Sequence, residues 1–122
     1  MKILVIEDEP TSLKLAHLVL STDGNEVASA EAAEQAVDKI LESEPEVILL
    51  DLELPNVDGL TLARNIKRDP ARKHIIIIAV TSYPDRFPRS AALEAGCDAY
   101  IVKPISTRNL ASQVKGIYDS LK

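Results

Sequence analysis

Ile3-Leu4-Val5-Ile6-Glu7-Asp8-Glu9-Pro10 opens the chain with four apolar residues that run straight into three carboxylates and a proline. An unbroken apolar run suits a strand covered on both faces, as in a parallel sheet. The turn that follows it separates the two common ways of ordering such a sheet. One of them, the Rossmann order, needs a glycine-rich turn here, so that a pyrophosphate can approach the backbone. Glu7, Asp8 and Glu9 would repel a pyrophosphate, and the turn contains no glycine.

Four further apolar runs follow: Val27–Ala28, Val47–Leu50, Ile75–Val80 and Tyr100–Val102. Segments with helical spacing lie between them. Ala33, Ala36, Val37, Ile40 and Leu41 recur at i, i+3, i+4, i+7 and i+8. Leu110, Val114, Ile117 and Leu121 mark the last helix, with Ser106 as its N-cap. Pro45, the Pro55–Gly59 stretch, Asp69–Pro70 and Pro104 fall between elements, where breakers belong. Pro84 and Pro88 sit where the fourth helix should begin. Because proline fits only the first turn, that helix is predicted to start no earlier than about Pro88, with Tyr83–Phe87 as a mobile loop. Strands alternating with helices imply right-handed crossovers and an α/β fold. With the Rossmann order disfavoured, the prediction is a flavodoxin-like (βα)5 domain: a five-stranded parallel sheet of order 2-1-3-4-5 with helices on both faces.

A chain of 122 residues makes one domain, and at this size roughly two-thirds of the unfolded surface is hidden on folding. The 46% apolar content is ordinary for a globular protein. Cys97 is the single cysteine, which excludes an intrachain disulfide and fits a reducing compartment. It reads as a small buried hydrophobe. The apolar run after Lys2 is too short for a signal peptide or a membrane span, so a cytoplasmic protein is expected. A net charge of −5 gives no general attraction to nucleic acid or anionic lipid. The one basic cluster, Arg64, Lys67, Arg68, Arg72, Lys73 and His74, reads as a solvated helix end rather than a phosphate-contacting patch.

The chemistry lies in what each strand runs into. The first ends in Glu7 and Asp8, the third in Asp51, the fourth in Thr81 and the fifth in Lys103. Ligands of open α/β sheets bind beyond the carboxyl ends of the strands, where strand order reverses. In the 2-1-3-4-5 order that point lies between strands one and three, so these residues should converge. Two like charges ~4 Å apart repel by about 4 kcal/mol at an effective dielectric of about 20. Lys103 alone cannot balance three carboxylates, and a hard divalent cation with oxygen ligands, Mg²⁺, fits best. A hydroxyl and a fixed cation beside Mg²⁺ are what a phosphoryl group needs. Asp51, ending the central strand, is the candidate nucleophile that would form an acyl phosphate. The Leu54-Pro55 and Asp58-Gly59 turn would let backbone approach the metal closely.

On Glu7-Asp8, Asp51 within Ile48-Leu49-Leu50-Asp51-Leu52-Glu53-Leu54-Pro55, Asp58-Gly59, Thr81 and Tyr100-Ile101-Val102-Lys103-Pro104, the chain resembles the receiver domain of bacterial two-component response regulators. The resemblance covers residues 1–122 with no output domain, as in single-domain regulators. It implies that Asp51 is the phosphoacceptor. It also implies that Glu7, Asp8, Asp51 and the backbone carbonyl of Glu53 hold Mg²⁺, and that Thr81 and Lys103 bind the phosphoryl oxygens. Tyr100 would be the aromatic switch, partly outward at rest, that turns inward when Thr81 moves. The Lys103-Pro104 peptide is implied to be cis. The phosphoryl group would come from a sensor histidine kinase or a histidine phosphotransfer protein. Such a domain catalyses its own phosphorylation and dephosphorylation but has no independent substrate, and it signals through protein contacts, as a monomer or weak dimer.

Glu53 and Tyr83 sit two residues after the acceptor and the switch threonine, where this family tunes phosphoryl lifetime; the sign of an acidic Glu53 is open. In the first helix Leu13, Ala16 and Leu20 form one stripe, which leaves Leu15 and Leu18 on another side. They are either scattered exposed leucines or a docking surface for the phosphodonor. His17 reads as a surface helix residue. A haloacid-dehalogenase-type phosphatase would carry a second Asp where Glu53 stands and a cap domain. A pseudo-receiver would have an incomplete set of acids, Thr and Lys.

Overall fold

In the computed structural model, which describes residues 1–55 and 57–122, strands and helices alternate along the whole chain. They are β1 (Lys2–Ile6), α1 (Pro10–Thr22), β2 (Glu26–Ala30), α2 (Ala33–Ser43), β3 (Val47–Asp51), α3 (Gly59–Arg68), β4 (Ile76–Thr81), α4 (Arg89–Glu94), β5 (Ala99–Val102) and α5 (Leu110–Leu121). Asn56, inside the Pro55–Gly59 stretch, lies outside the described residues. The sheet has the order β2-β1-β3-β4-β5 and every pairing is parallel. This is the flavodoxin-like arrangement predicted from the sequence.

Successive side chains of a strand point to opposite faces, so a strand buried on both sides must be apolar throughout. Ile3, Val5, Val47, Leu49, Ile76, Ile78 and Val80 pack with Leu13, Ala16 and Leu20 of α1 and Leu110 and Val114 of α5. Leu4, Ile6, Ile48, Leu50, Ile77 and Ala79 face the other way, onto α2, α3 and α4. The strand register brings Ile6 opposite Leu50, Asp51 opposite Val80 and Thr81 opposite Val102. The carboxyl ends of β1, β3, β4 and β5 thus form one rim.

Several local expectations are corrected. Val37 and Leu41 are 42% and 62% exposed, while Ala33, Ala36 and Ile40 are buried. At 100° per residue the predicted stripe is wider than the face α2 buries. Beneath it lies the edge strand β2, itself only partly covered. The N-cap of α5 is Asn109, without a side-chain cap bond. Ser106 instead starts the preceding turn: its Oγ accepts from Asn109 N and its carbonyl from Leu110 N. α4 begins just after Pro88, as expected, and Tyr83–Phe87, before it, closes into a turn. The amides of Arg86 and Phe87 both donate to the Tyr83 carbonyl, and Phe87 is buried in the core. His17, read as a surface helix residue, does lie partly exposed on α1, with Nδ1 2.7 Å from Ser29 Oγ.

Gly59 is where the fold constrains the future site most tightly. A Cβ there would lie 2.8 Å from both the Asp51 carbonyl oxygen and the Leu52 Cα. The glycine admits the end of β3 against the start of α3. Gly59→Ala should destabilise by about 1–3 kcal/mol through overpacking. Gly116→Ala, in α5, adds a methyl with nothing within 4 Å and should stabilise by about 0.5–1 kcal/mol. Urea unfolding of both variants beside the wild type checks the two opposite signs.

Candidate functional site

Each strand delivers its polar residue to the rim as its apolar run ends. Glu7, after β1, is 6% exposed and its amide donates to the Ala30 carbonyl. Asp8, next in the chain, is exposed. Glu9 turns the chain into α1 as its N-cap, accepting from Thr11 N at 3.2 Å and Ser12 N at 2.6 Å. Asp51, closing β3, is 4% exposed, and Thr81, closing β4, is fully buried. Lys103 follows β5. Its amide donates to the Thr81 carbonyl, and the Lys103-Pro104 peptide is cis.

The residues singled out from the sequence meet here. Lys103 Nζ lies 2.6 Å from Glu7 Oε1 and 3.5 Å from Asp51 Oδ2. Asp51 Oδ1 accepts from the Glu53 amide at 3.0 Å, and Glu7 Oε2 from the Glu9 amide at 3.3 Å. Thr81 Oγ1 accepts from Tyr83 N at 2.9 Å, and among the described residues its hydroxyl proton has no acceptor. Glu7, Asp8 and Asp51 each offer an oxygen within 4.8 Å of the others. An all-oxygen carboxylate set with that spacing fits a hard divalent cation.

Tyr100 is half-buried against the core, and its hydroxyl donates to the Phe87 carbonyl. Burial first, then the charge of Glu53, holds its phenol above the ordinary range. Leu15 and Leu18 are 44% and 61% exposed, but they border different grooves. Leu15 lines one of about 490 Å³ with Lys103, Pro104 and Ile105. Leu18 lines another with Pro10, Lys14 and His17. Cys97 is buried, and burial pushes its thiol up to about 11. In the basic cluster Lys67 is held by Asp98 at 2.8 Å and by the Ile75 and Lys73 carbonyls, while Arg72 pairs with Asp69.

Two groups at the rim carry no signal in the sequence. Ser82 donates its amide to Glu53 Oε1 at 2.8 Å, and the Phe87 carbonyl takes the Tyr100 hydroxyl. Both are backbone atoms, whose use depends on loop path rather than residue type.

Burial is the main force on the Asp51 carboxyl, with the neighbouring Glu7 next; the Glu53 amide and Lys103 only partly oppose them, and the carboxyl is raised to about 6. Burial also works against the Lys103 ammonium, but the Glu7 hydrogen bond and the charges of Asp51, Glu7 and Glu53 together outweigh it and raise its pKa. An acid held higher in the folded state binds its proton more tightly there, so folding loses stability as pH rises from about 4 to 6. Without metal, Asp51→Asn should remove that loss, gaining on the order of 2–3 kcal/mol over wild type above pH 7. The gain should vanish near pH 4. Urea titrations across this range in chelator give the comparison.

The chain matches a family model described as the response regulator receiver domain over residues 3–115. The polar-differentiation response regulator DivK of Brucella ovis is 32% identical over 113 residues, spanning 93% of this chain and 92% of DivK. The phosphate regulon transcriptional regulatory protein PhoB of Pseudomonas aeruginosa is 36% identical over 115 residues, spanning 94% of this chain and 50% of PhoB. Among solved structures, a CheY-like response regulator receiver domain protein from Methanospirillum hungatei superposes with a TM-score of 0.88 at 30% identity, covering 98% of this chain and 94% of that one. With five strands ordered 2-1-3-4-5 and an acidic rim at their carboxyl ends, the chain belongs to the response regulator receiver domains of two-component signalling.

Proposed function

We propose that this receiver domain takes a phosphoryl group from a phosphohistidine onto Asp51 in a Mg²⁺-dependent reaction and signals by changing shape. The observation that carries the reading is the environment of Asp51. Its carboxylate is buried at the end of the central strand, with one oxygen on the Glu53 amide and the other facing Lys103. The donor would be the phosphohistidine of a sensor histidine kinase or a histidine phosphotransfer protein. As the P–N bond breaks, a carboxylate oxygen of Asp51 bonds to phosphorus and the electron pair returns to the imidazole nitrogen.

Glu7, Asp8, Asp51 and the backbone carbonyl of Glu53 would hold the ion. When bound it supplies positive charge to the phosphoryl oxygens and lowers the repulsion among the carboxylates. Lys103, now 2.6 Å from Glu7, would turn its ammonium to a phosphoryl oxygen, and the Thr81 hydroxyl proton would serve another. As Thr81 moves, the half-buried Tyr100 ring would swing further in, carrying the change to the surface of α4 and β5. The domain has no independent substrate in this reading, acts in the cytoplasm and works through a protein target. Among the described residues no helix is long and apolar enough to cross a membrane.

Acetyl phosphate with Mg²⁺, followed by mass spectrometry, tests the assignment. Phosphorylation should appear on Asp51 and be absent in Asp51→Asn; modification of that variant at the wild-type level would refute the assignment. One hydrogen bond to a charged group contributes roughly 1.5–3 kcal/mol, so Thr81→Ala should be a partial defect. Lys103→Ala, which strips the buried pocket of a charge, should slow phosphorylation by on the order of 10²-fold or more.

A further inference from the structure

Glu53 is the residue at this rim that the reaction above leaves unexplained. Its backbone serves Asp51, but its side chain leaves the β3–α3 loop and crosses to the loop after β4. There Oε1 accepts from the Ser82 amide at 2.8 Å. The other oxygen, Oε2, is buried without a hydrogen-bond partner, alone in this among side-chain atoms of the described residues. Leaving a carboxylate oxygen buried and unmatched is unfavourable. The Ser82–Glu53 bond therefore holds the side chain in a place it would otherwise leave.

The donor it occupies follows directly after Thr81, and Ser82 borders the same groove as Lys103. An amide there points at an anion, and the anion it has found hangs two residues from Asp51. We infer that the Glu53 carboxylate is a built-in stand-in for the phosphoryl group: it caps the Ser82 amide at rest and must be displaced when a phosphoryl group on Asp51 claims that donor. Glu53 is thus a regulatory residue that holds the β4–α4 loop in its resting path. The same path includes the Tyr83 amide on Thr81 Oγ1 and the Phe87 carbonyl on the Tyr100 hydroxyl. Release of Glu53 would free the loop that both switch residues contact. The field of Glu53 at Tyr100 and Lys103 fits this placement.

The inference rests on Asp51 as phosphoacceptor, and the test keeps the two apart. Three variants separate the hydrogen bond from the charge. Glu53→Gln keeps the reach and an acceptor oxygen but loses the charge. Glu53→Asp keeps the charge but is one methylene too short, and Glu53→Ala loses both. Amide spectra of the metal-free, unphosphorylated proteins are compared with wild type carrying Mg²⁺ and beryllofluoride.

If Glu53 caps the loop, the Ser82, Tyr83 and Tyr100 signals of Glu53→Ala and Glu53→Asp move toward the beryllofluoride positions with no ligand present. Both variants then take the phosphoryl group of acetyl phosphate on the order of tenfold faster, while Glu53→Gln, which keeps only a neutral hydrogen bond to Ser82, shows a smaller spectral shift and a smaller gain in rate. Faster phosphorylation of Glu53→Gln with resting spectra in all three would mean that Glu53 only repels the donor's charge, and would overturn the inference. So would three variants that match wild type in both measurements. Failure of the underlying reading looks different: the wild type itself would not be modified on Asp51.

Discussion

A single ammonium, that of Lys103, shared between two buried carboxylates sets the terms for the rest of this molecule. At 2.6 Å from Glu7 and 3.5 Å from Asp51 it cannot satisfy both, and two acids nearly out of water face each other across it. A buried pair with one charge in excess is a poor stabiliser. The fold tolerates it because the sheet beneath is apolar on both faces and supplies the stability elsewhere. The imbalance is also what makes the pocket responsive: an added cation or a rearranged anion changes the energy of the whole rim.

That rim depends on strand register more than on any loop. Asp51 pairs across to Val80 and Thr81 to Val102, so the Asp51 carboxylate, the Thr81 hydroxyl and the lysine arrive together if the parallel ladder is in place. A slip of one residue would turn each side chain to the opposite face. Gly59 locks the remaining freedom by letting α3 start in contact with the backbone of Asp51 and Leu52.

The fold was legible because both-face burial leaves an unmistakable trace. Val47–Leu50 and Ile75–Val80 have no polar residue, and each is followed within a residue by the group that matters. The weakest trace was β2, where only Val27–Ala28 showed, because an edge strand is half solvated and can carry Glu26 and Ser29. The stripe on α2 was read too wide for a similar reason: Val37 and Leu41 have helical spacing, but the sheet ends before it reaches them. Convergence of Glu7, Asp8, Asp51, Thr81 and Lys103 followed from topology alone. Their inequality did not. Asp8 lies in solvent while Glu7 takes the lysine, and the Glu53 carboxylate bridges to an amide 29 residues away. Such pairings depend on rotamers and loop paths that leave no periodic mark. Pro84 and Pro88 disguised the Tyr83–Phe87 turn in the same way, since breakers announce an interruption but not that Phe87 returns to the core.

The brevity of α4 has a mechanical consequence. With six residues and only Ala92 buried within it, it is shorter than the length at which a helix sustains itself, and little more than its docking keeps it wound. Local opening draws on such weakly anchored segments, at free energies well below that of global unfolding. The domain is therefore soft at one corner and stiff in its sheet. It can remodel the face beside β5 by local opening while the central strands stay closed.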